Sequence, residues 1–120
     1  MKQRKKILIV EDEYVGALSL SEMLGHQGYD VCEIASTGKG AVRIAGKERP
    51  DIVLMDIGLT GKMTGIEAAK EINCRFGIPI IFMSGYLESE VRKQIDLCGP
   101  FRFIDKPLDF DRLETMLAAI

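Results

Sequence analysis
The residues best placed to do chemistry stand just past short apolar runs. Glu11, Asp12 and Glu13 follow Ile7-Leu8-Ile9-Val10, Asp56 follows Ile52-Val53-Leu54-Met55, Ser84 follows Ile80-Ile81-Phe82-Met83, and Lys106 follows a weaker run ending at Ile104. If these runs are strands of one open α/β sheet, their ends gather carboxylates, a hydroxyl and an amine at one edge. Two unit charges about 4 Å apart interact by roughly 4 kcal/mol at an effective dielectric of about 20, so acids gathered this way need a positive group among them. The single histidine, His26, and three scattered cysteines cannot assemble the usual nitrogen and sulfur metal sites. A hard cation suits the acids, and Mg2+ suits them best, because it retains waters and takes one or two carboxylates together with phosphate oxygens. Lys106 would hold a phosphoryl oxygen from the other side, and Ser84 would donate a hydrogen bond to another.

The three strong runs lack period-2 alternation, the pattern of parallel strands covered on both faces. Weaker strands are expected over 29–35 and 101–104. Apolar residues at helical spacing predict five helices, marked by Ala17, Leu20 and Leu24; by Ala41, Ile44 and Ala45; by Ile66, Ala69, Ile72 and Phe76; by Val91, Ile95 and Cys98; and by Leu113, Met116, Leu117 and Ile120. The order is therefore (βα)5, which means an open α/β sheet. Thr37 and Asp109 fit helix N-caps, Gly28 and Gly99 helix ends, and Pro79 the first residue of a strand, where its missing N–H is tolerated.

At 120 residues the chain is the size of one domain, and no linker or repeat divides it. A hydrophobic content of 47% argues against disorder, and a net charge of −2 offers no broad field for direct nucleic-acid binding. The cysteines, Cys32, Cys74 and Cys98, are odd in number and unpaired in spacing, which fits reduced thiols in the cytoplasm, each as a small core residue. His26 reads as a solvated helix-end residue and Glu13 as a solvated or helix-starting acid. The basic opening is not followed by a secretion signal, and no run approaches the roughly 20 apolar residues that span a membrane. Gly38-Lys39-Gly40 and Gly61-Lys62 hint at a phosphate loop, but Glu33 and Asp56 stand where its first glycine is required, so both read as turns.

In this order and spacing, Ile7-Leu8-Ile9-Val10-Glu11-Asp12, Val53-Leu54-Met55-Asp56, Phe82-Met83-Ser84-Gly85 and Lys106-Pro107 resemble the response-regulator receiver family of two-component signal transduction. The resemblance covers essentially the whole chain. It implies a flavodoxin-like, doubly wound parallel sheet of strand order 2-1-3-4-5 and one receiver domain over residues 1–120. It also implies that Asp56 is the phosphorylated nucleophile, taking a phosphoryl group from a sensor histidine kinase or phosphotransfer protein. Asp12 and Asp56 would bind Mg2+ directly, Glu11 through water, and the backbone carbonyl of Gly58 would complete the ligands. Lys106 and Ser84 would grip the phosphoryl oxygens beside the accessible amide of Gly85, and the Lys106-Pro107 peptide would be cis. Phe103 occupies the family's switch-aromatic position: as Ser84 moves toward the phosphoryl group, Phe103 rotates and changes the face made by the fourth helix, fifth strand and fifth helix. That face, around Ile95, Arg102 and Phe103, would meet an output protein or a second copy, and the first helix would meet the kinase.

The chain departs from the family pattern in one loop. The stretch from Asp56 to Gly65 is one residue longer than in many members and carries Thr60 where a proline is common, which implies a looser course over 58–64. Gly58 offers no group to orient an attacking water, and Tyr86 is expected to shield an acyl phosphate. The rival readings are weaker. A phosphatase of the haloacid dehalogenase type would want a second acid at Gly58, and a flavin or nucleotide binder would want a phosphate loop after Val10. A phosphorylation-independent docking domain would not need the full acidic set. The expected function is a signalling receiver rather than an enzyme, either standing alone or cut from a longer hybrid kinase or effector.

Overall fold
A computed structural model describes residues 4–59, 61–85 and 101–120. Five parallel strands, β1 (Lys6–Val10), β2 (Asp30–Val31), β3 (Ile52–Asp56), β4 (Ile80–Ser84) and β5 (Arg102–Asp105), form one sheet in the order β2-β1-β3-β4-β5. The expected order is therefore observed. Helices α1 (Tyr14–His26), α2 (Gly38–Glu48), α3 (Gly65–Phe76) and α4 (Phe110–Ala118) follow β1, β2, β3 and β5. The helix expected around Val91, Ile95 and Cys98, with Gly99 at its end, lies outside the described residues, so the last helix is numbered α4.

The missing alternation in the central strands has the expected cause. Leu8, Val10, Val53, Met55, Ile80 and Phe82 pack on one side with Ala41, Ile44 and Ala45 of α2 and Ala68, Ala69 and Ile72 of α3. Ile7, Ile9, Ile52, Leu54, Ile81 and Met83 pack on the other side with Ala17, Leu20 and Leu24 of α1 and Leu113 and Leu117 of α4. Each fully buried large aliphatic contributes about 1.5–3 kcal/mol, so the strands with least freedom are those whose ends carry the acids.

Five local expectations need correction. The strand expected over 29–35 is only two residues long, because its ladder slips. The Cys32 amide bonds to the Ile7 carbonyl, but it is Ala35 rather than Ile34 that bonds to Ile9, so one extra residue bulges out. The fifth strand runs one residue later than 101–104, and Pro79 precedes β4 rather than opening it. Gly38-Lys39-Gly40 is the first turn of α2, not a free turn, since the Thr37 side chain caps Gly40 and starts the helix there. Cys74 is exposed on α3 rather than in the core, whereas Cys32 is buried, and burial raises its thiol pKa. Asp109 caps α4 as expected, and Gly28, with φ +93, releases the chain after α1. No helix among the described residues is long and apolar enough to cross a membrane.

Candidate functional site
β1 delivers the first two acids. Beyond Val10 the Glu11 amide donates to the Ala35 carbonyl at 2.9 Å, which ties the strand exit to the far side of the bulge. Glu13 then starts α1: its carboxylate accepts the Gly16 amide at 2.7 Å, and its own amide donates to Glu11 Oε1 at 3.3 Å. The acid read as solvated or helix-starting is an N-cap.

β3 delivers Asp56 as its last residue, and three contacts fix the turn after it. The Gly58 amide donates to Asp56 Oδ1 at 2.9 Å, the Leu59 amide to the Asp56 carbonyl at 3.2 Å, and the Ile57 amide to the Met83 carbonyl at 3.0 Å. Leu59 is buried and anchors the loop expected to be loose, while Thr60 lies outside the described residues. Gly65, the first residue of α3, closes against the strand end so tightly that a Cβ there would lie 2.5 Å from the Asp56 carbonyl oxygen. Only a residue without a side chain lets α3 begin at this distance.

β5 delivers the lysine. The Lys106 amide donates to the Ser84 carbonyl at 2.7 Å, and the Lys106-Pro107 peptide is cis. Lys106 Nζ reaches Glu11 Oε2 at 2.8 Å and lies 3.6 Å from Asp56 Oδ1, a hydrogen-bonded ion pair in the first case and a looser charge contact in the second. Glu11, Asp12 and Asp56 each place a carboxylate oxygen within 4.8 Å of the others. Glu11 and Asp56 are buried, each 8% exposed, and Asp12 faces solvent.

Three acids against one lysine leave unneutralised negative charge. Burial raises the Glu11 pKa, the neighbouring Asp56 carboxyl raises it further, and the Lys106 bond opposes both without cancelling them. Burial alone would lower the Lys106 pKa, but its contacts with Glu11 and Asp56 outweigh that and hold it above its ordinary value. An all-oxygen donor set, partly buried and short of positive charge, fits a hard divalent cation. Gly58 meets Asp56 through its amide.

Ser84 and Phe103 belong to the neighbouring ladder. Ser84 ends β4 and donates from Oγ to Asp105 Oδ1 at 3.3 Å. Phe103 is half-buried and stacks on Phe82, with ring centroids 5.7 Å apart, and Phe101 meets Phe82 edge-on at 5.5 Å. Tyr86 and Ile95, the latter expected on the output face, lie outside the described residues. Sequence reasoning missed Asp105 and Gly65. Asp105 could have been found from the ladder, since a strand ending one residue before Lys106 puts an acid beside Ser84. The signal at Gly65 was a glycine directly after the cap Thr64, at a helix start that needs no left-handed backbone.

The comparisons with known proteins give the family and the fold. The family model described as "Response regulator receiver domain" matches residues 7–118. The chain is 36% identical over 110 residues to sporulation initiation phosphotransferase F of Bacillus subtilis (strain 168), covering 91% of this chain and 87% of that protein. It is 30% identical over 109 residues to the transcriptional regulatory protein PdtaR of Mycobacterium tuberculosis (strain ATCC 25618 / H37Rv), covering 91% of this chain and 53% of that one. It thus spans about half the length of PdtaR. The signal receiver domain of a modulated diguanylate cyclase from Desulfovibrio desulfuricans G20 superposes with a TM-score of 0.91 at 34% identity, covering 98% of this chain and 93% of that one.

Proposed function
We propose that this chain, which belongs to the response-regulator receiver family of two-component systems, accepts a phosphoryl group on Asp56 and passes the change to an output partner. The observation that carries the reading is the convergence of three strand ends. Asp56 is held by the Gly58 amide, faces Lys106 at 3.6 Å, and lies beside Glu11 and Asp12 in an acid-rich pocket. Phosphoryl transfer asks little covalent chemistry of the protein and much positioning and charge neutralisation; the strand ends supply the positioning and Lys106, and the acids offer a place for a cation that would supply the rest.

In the proposed reaction a carboxylate oxygen of Asp56 attacks the phosphorus of a phosphohistidine. The new P–O bond forms as the P–N bond breaks, and the imidazole leaves on the donor protein, taking up a proton. Lys106 gives up part of its contact with Glu11 to meet a phosphoryl oxygen, and Ser84 donates to another. Glu11, Asp12, Asp56 and the Gly58 carbonyl are the groups that would hold Mg2+, which supplies charge neutralisation at the phosphoryl oxygens when bound. Buried Leu59 and the close packing of Gly65 hold the Asp56 backbone, and the Gly58 amide holds its carboxylate.

The donor is a sensor histidine kinase or phosphotransfer protein, the location is the cytoplasm, and the product is an altered surface around Phe103 rather than a released molecule. The same module works alone or within a longer hybrid kinase or effector. The name of the Bacillus relative, a phosphotransferase, favours a place in a phosphorelay. Incubation with acetyl phosphate, followed by intact mass, tests the reading. A Mg2+-dependent gain of one phosphoryl group that disappears in Asp56→Asn supports it. Rapid donor hydrolysis with no phosphoprotein would point to a phosphatase instead.

A further inference from the structure
Asp105 ends β5 one residue before Lys106, and in the parallel ladder it stands directly beside Ser84. The Ser84 side chain is almost wholly enclosed, at 2% exposure, and its hydroxyl donates to Asp105 Oδ1. A serine hydroxyl has one proton. While that proton is on Asp105 it is unavailable to an oxygen at Asp56. One step back along each strand on the same face, Phe82 and Phe103 are paired in register and stacked, so the hydroxyl–acid pair and the aromatic pair are neighbours.

We propose that Asp105 is a positioning residue that holds the Ser84 hydroxyl on β5 in the unmodified protein and releases it when Asp56 carries a phosphoryl group. The inference rests on the reading of Asp56 as phosphoryl acceptor. At 3.3 Å the bond is longer than the range of about 2.5–3.0 Å usual for a hydroxyl on oxygen, so its hold is weak and a dianionic group competes with it successfully. The Lys106 amide keeps its short bond to the Ser84 carbonyl, so release needs only rotation of the serine side chain, not separation of the strands. Freed from Asp105, the Ser84 hydroxyl turns away from β5, on the face that also carries the Phe82 and Phe103 rings. Asp105 thereby sets how readily the modified state is reached.

The test is the affinity of the Mg2+-loaded protein for beryllofluoride, a reversible phosphoryl mimic, measured by calorimetry. Asp105→Ala removes the competing acceptor and is expected to tighten binding by about threefold to tenfold, the range of one modest net hydrogen bond. Asp105→Asn keeps an oxygen acceptor without the charge and is expected to fall between Ala and wild type. It also serves where the alanine variant folds poorly. In a Ser84→Ala background the effect of Asp105→Ala should vanish, because the acid acts through the hydroxyl. Unchanged affinity in Asp105→Ala overturns the proposal, and so does equal tightening with and without Ser84, which would make Asp105 a bulk charge only. Wild-type protein that binds no beryllofluoride and gains no mass from acetyl phosphate would overturn the reading of Asp56 itself.

Discussion
At the amino-terminal edge of the sheet, charged side chains go to the backbone. Lys5 Nζ donates to the Leu117 and Ile120 carbonyls at 2.7 Å each and closes the end of α4, and Asp51 accepts the Lys6 amide at 2.7 Å. At the carboxyl edge, charged side chains face one another: Glu11 and Asp56 meet Lys106, and Asp12 lies beside the two acids. The first arrangement satisfies polar groups that folding would otherwise leave unpaired, and cations at a helix C-terminus are stabilising in their own right. The second keeps buried like charges together, which folding alone would not select. The amino edge therefore holds the fold, and the carboxyl edge keeps an acidic cluster, the proposed seat of cation and phosphoryl group, at some cost to stability.

The largest effect expected at either edge comes from supplying the missing positive charge. At about a hundred times its dissociation constant, Mg2+ should stabilise the folded protein by about 2.7 kcal/mol, read as a rise in melting temperature. Asp12→Asn should shift that titration to higher Mg2+, and a melting temperature indifferent to Mg2+ would break the comparison. Gly65→Ala ranks next, because its Cβ would have to displace the Asp56 carbonyl. Overpacking of this kind costs about 1–3 kcal/mol, and phosphorylation should slow along with the loss of stability, whereas a change at the amino edge should separate the two.

Lys5→Met is that change. Losing two charge-assisted bonds at the end of α4 should cost about 1–2 kcal/mol in denaturant melts and leave the rate of phosphorylation untouched. The smallest effect lies at the capping box of α3, where Thr64 and Glu67 bond reciprocally to each other's backbone. Thr64→Ala should cost about 1 kcal/mol. The Thr64 backbone and side-chain bonds lower the Glu67 pKa, so its contribution is present above the unfolded-state pKa and is lost as pH falls through the lower folded value. The stability difference between wild type and Glu67→Gln should accordingly shrink as the solution is acidified.

The carboxyl edge was more legible in the sequence than the edge of β2. Apolar runs without alternation announced strands covered on both sides, and the residues just beyond them had to lie at one edge, so Glu11, Asp12, Asp56 and Lys106 could be placed together without knowing any distance. Thr37 and Asp109 were legible for the same local reason, since a cap depends on three or four consecutive residues. The slip between Cys32 and Ala35 was not legible, because which residue bulges is decided by pairing with β1. Cys74 was misplaced because a small residue next to Ile72 and Asn73 on an amphipathic helix can face either way. Asp105 was overlooked because its meaning depends on the neighbour it meets across the ladder, and Ser84 lies twenty-one residues earlier in the chain.

The proposed phosphoryl acceptor at the carboxyl edge is one carboxylate, Asp56. An acyl phosphate is reduced by borohydride to an alcohol, so phosphorylation of aspartate leaves homoserine at that position, which peptide mass mapping locates. After treatment with acetyl phosphate and Mg2+, homoserine is predicted at position 56 and nowhere else, and none is predicted when Mg2+ is withheld. Homoserine at position 12 or 105, or its absence from every acid with Mg2+ present, would contradict the account.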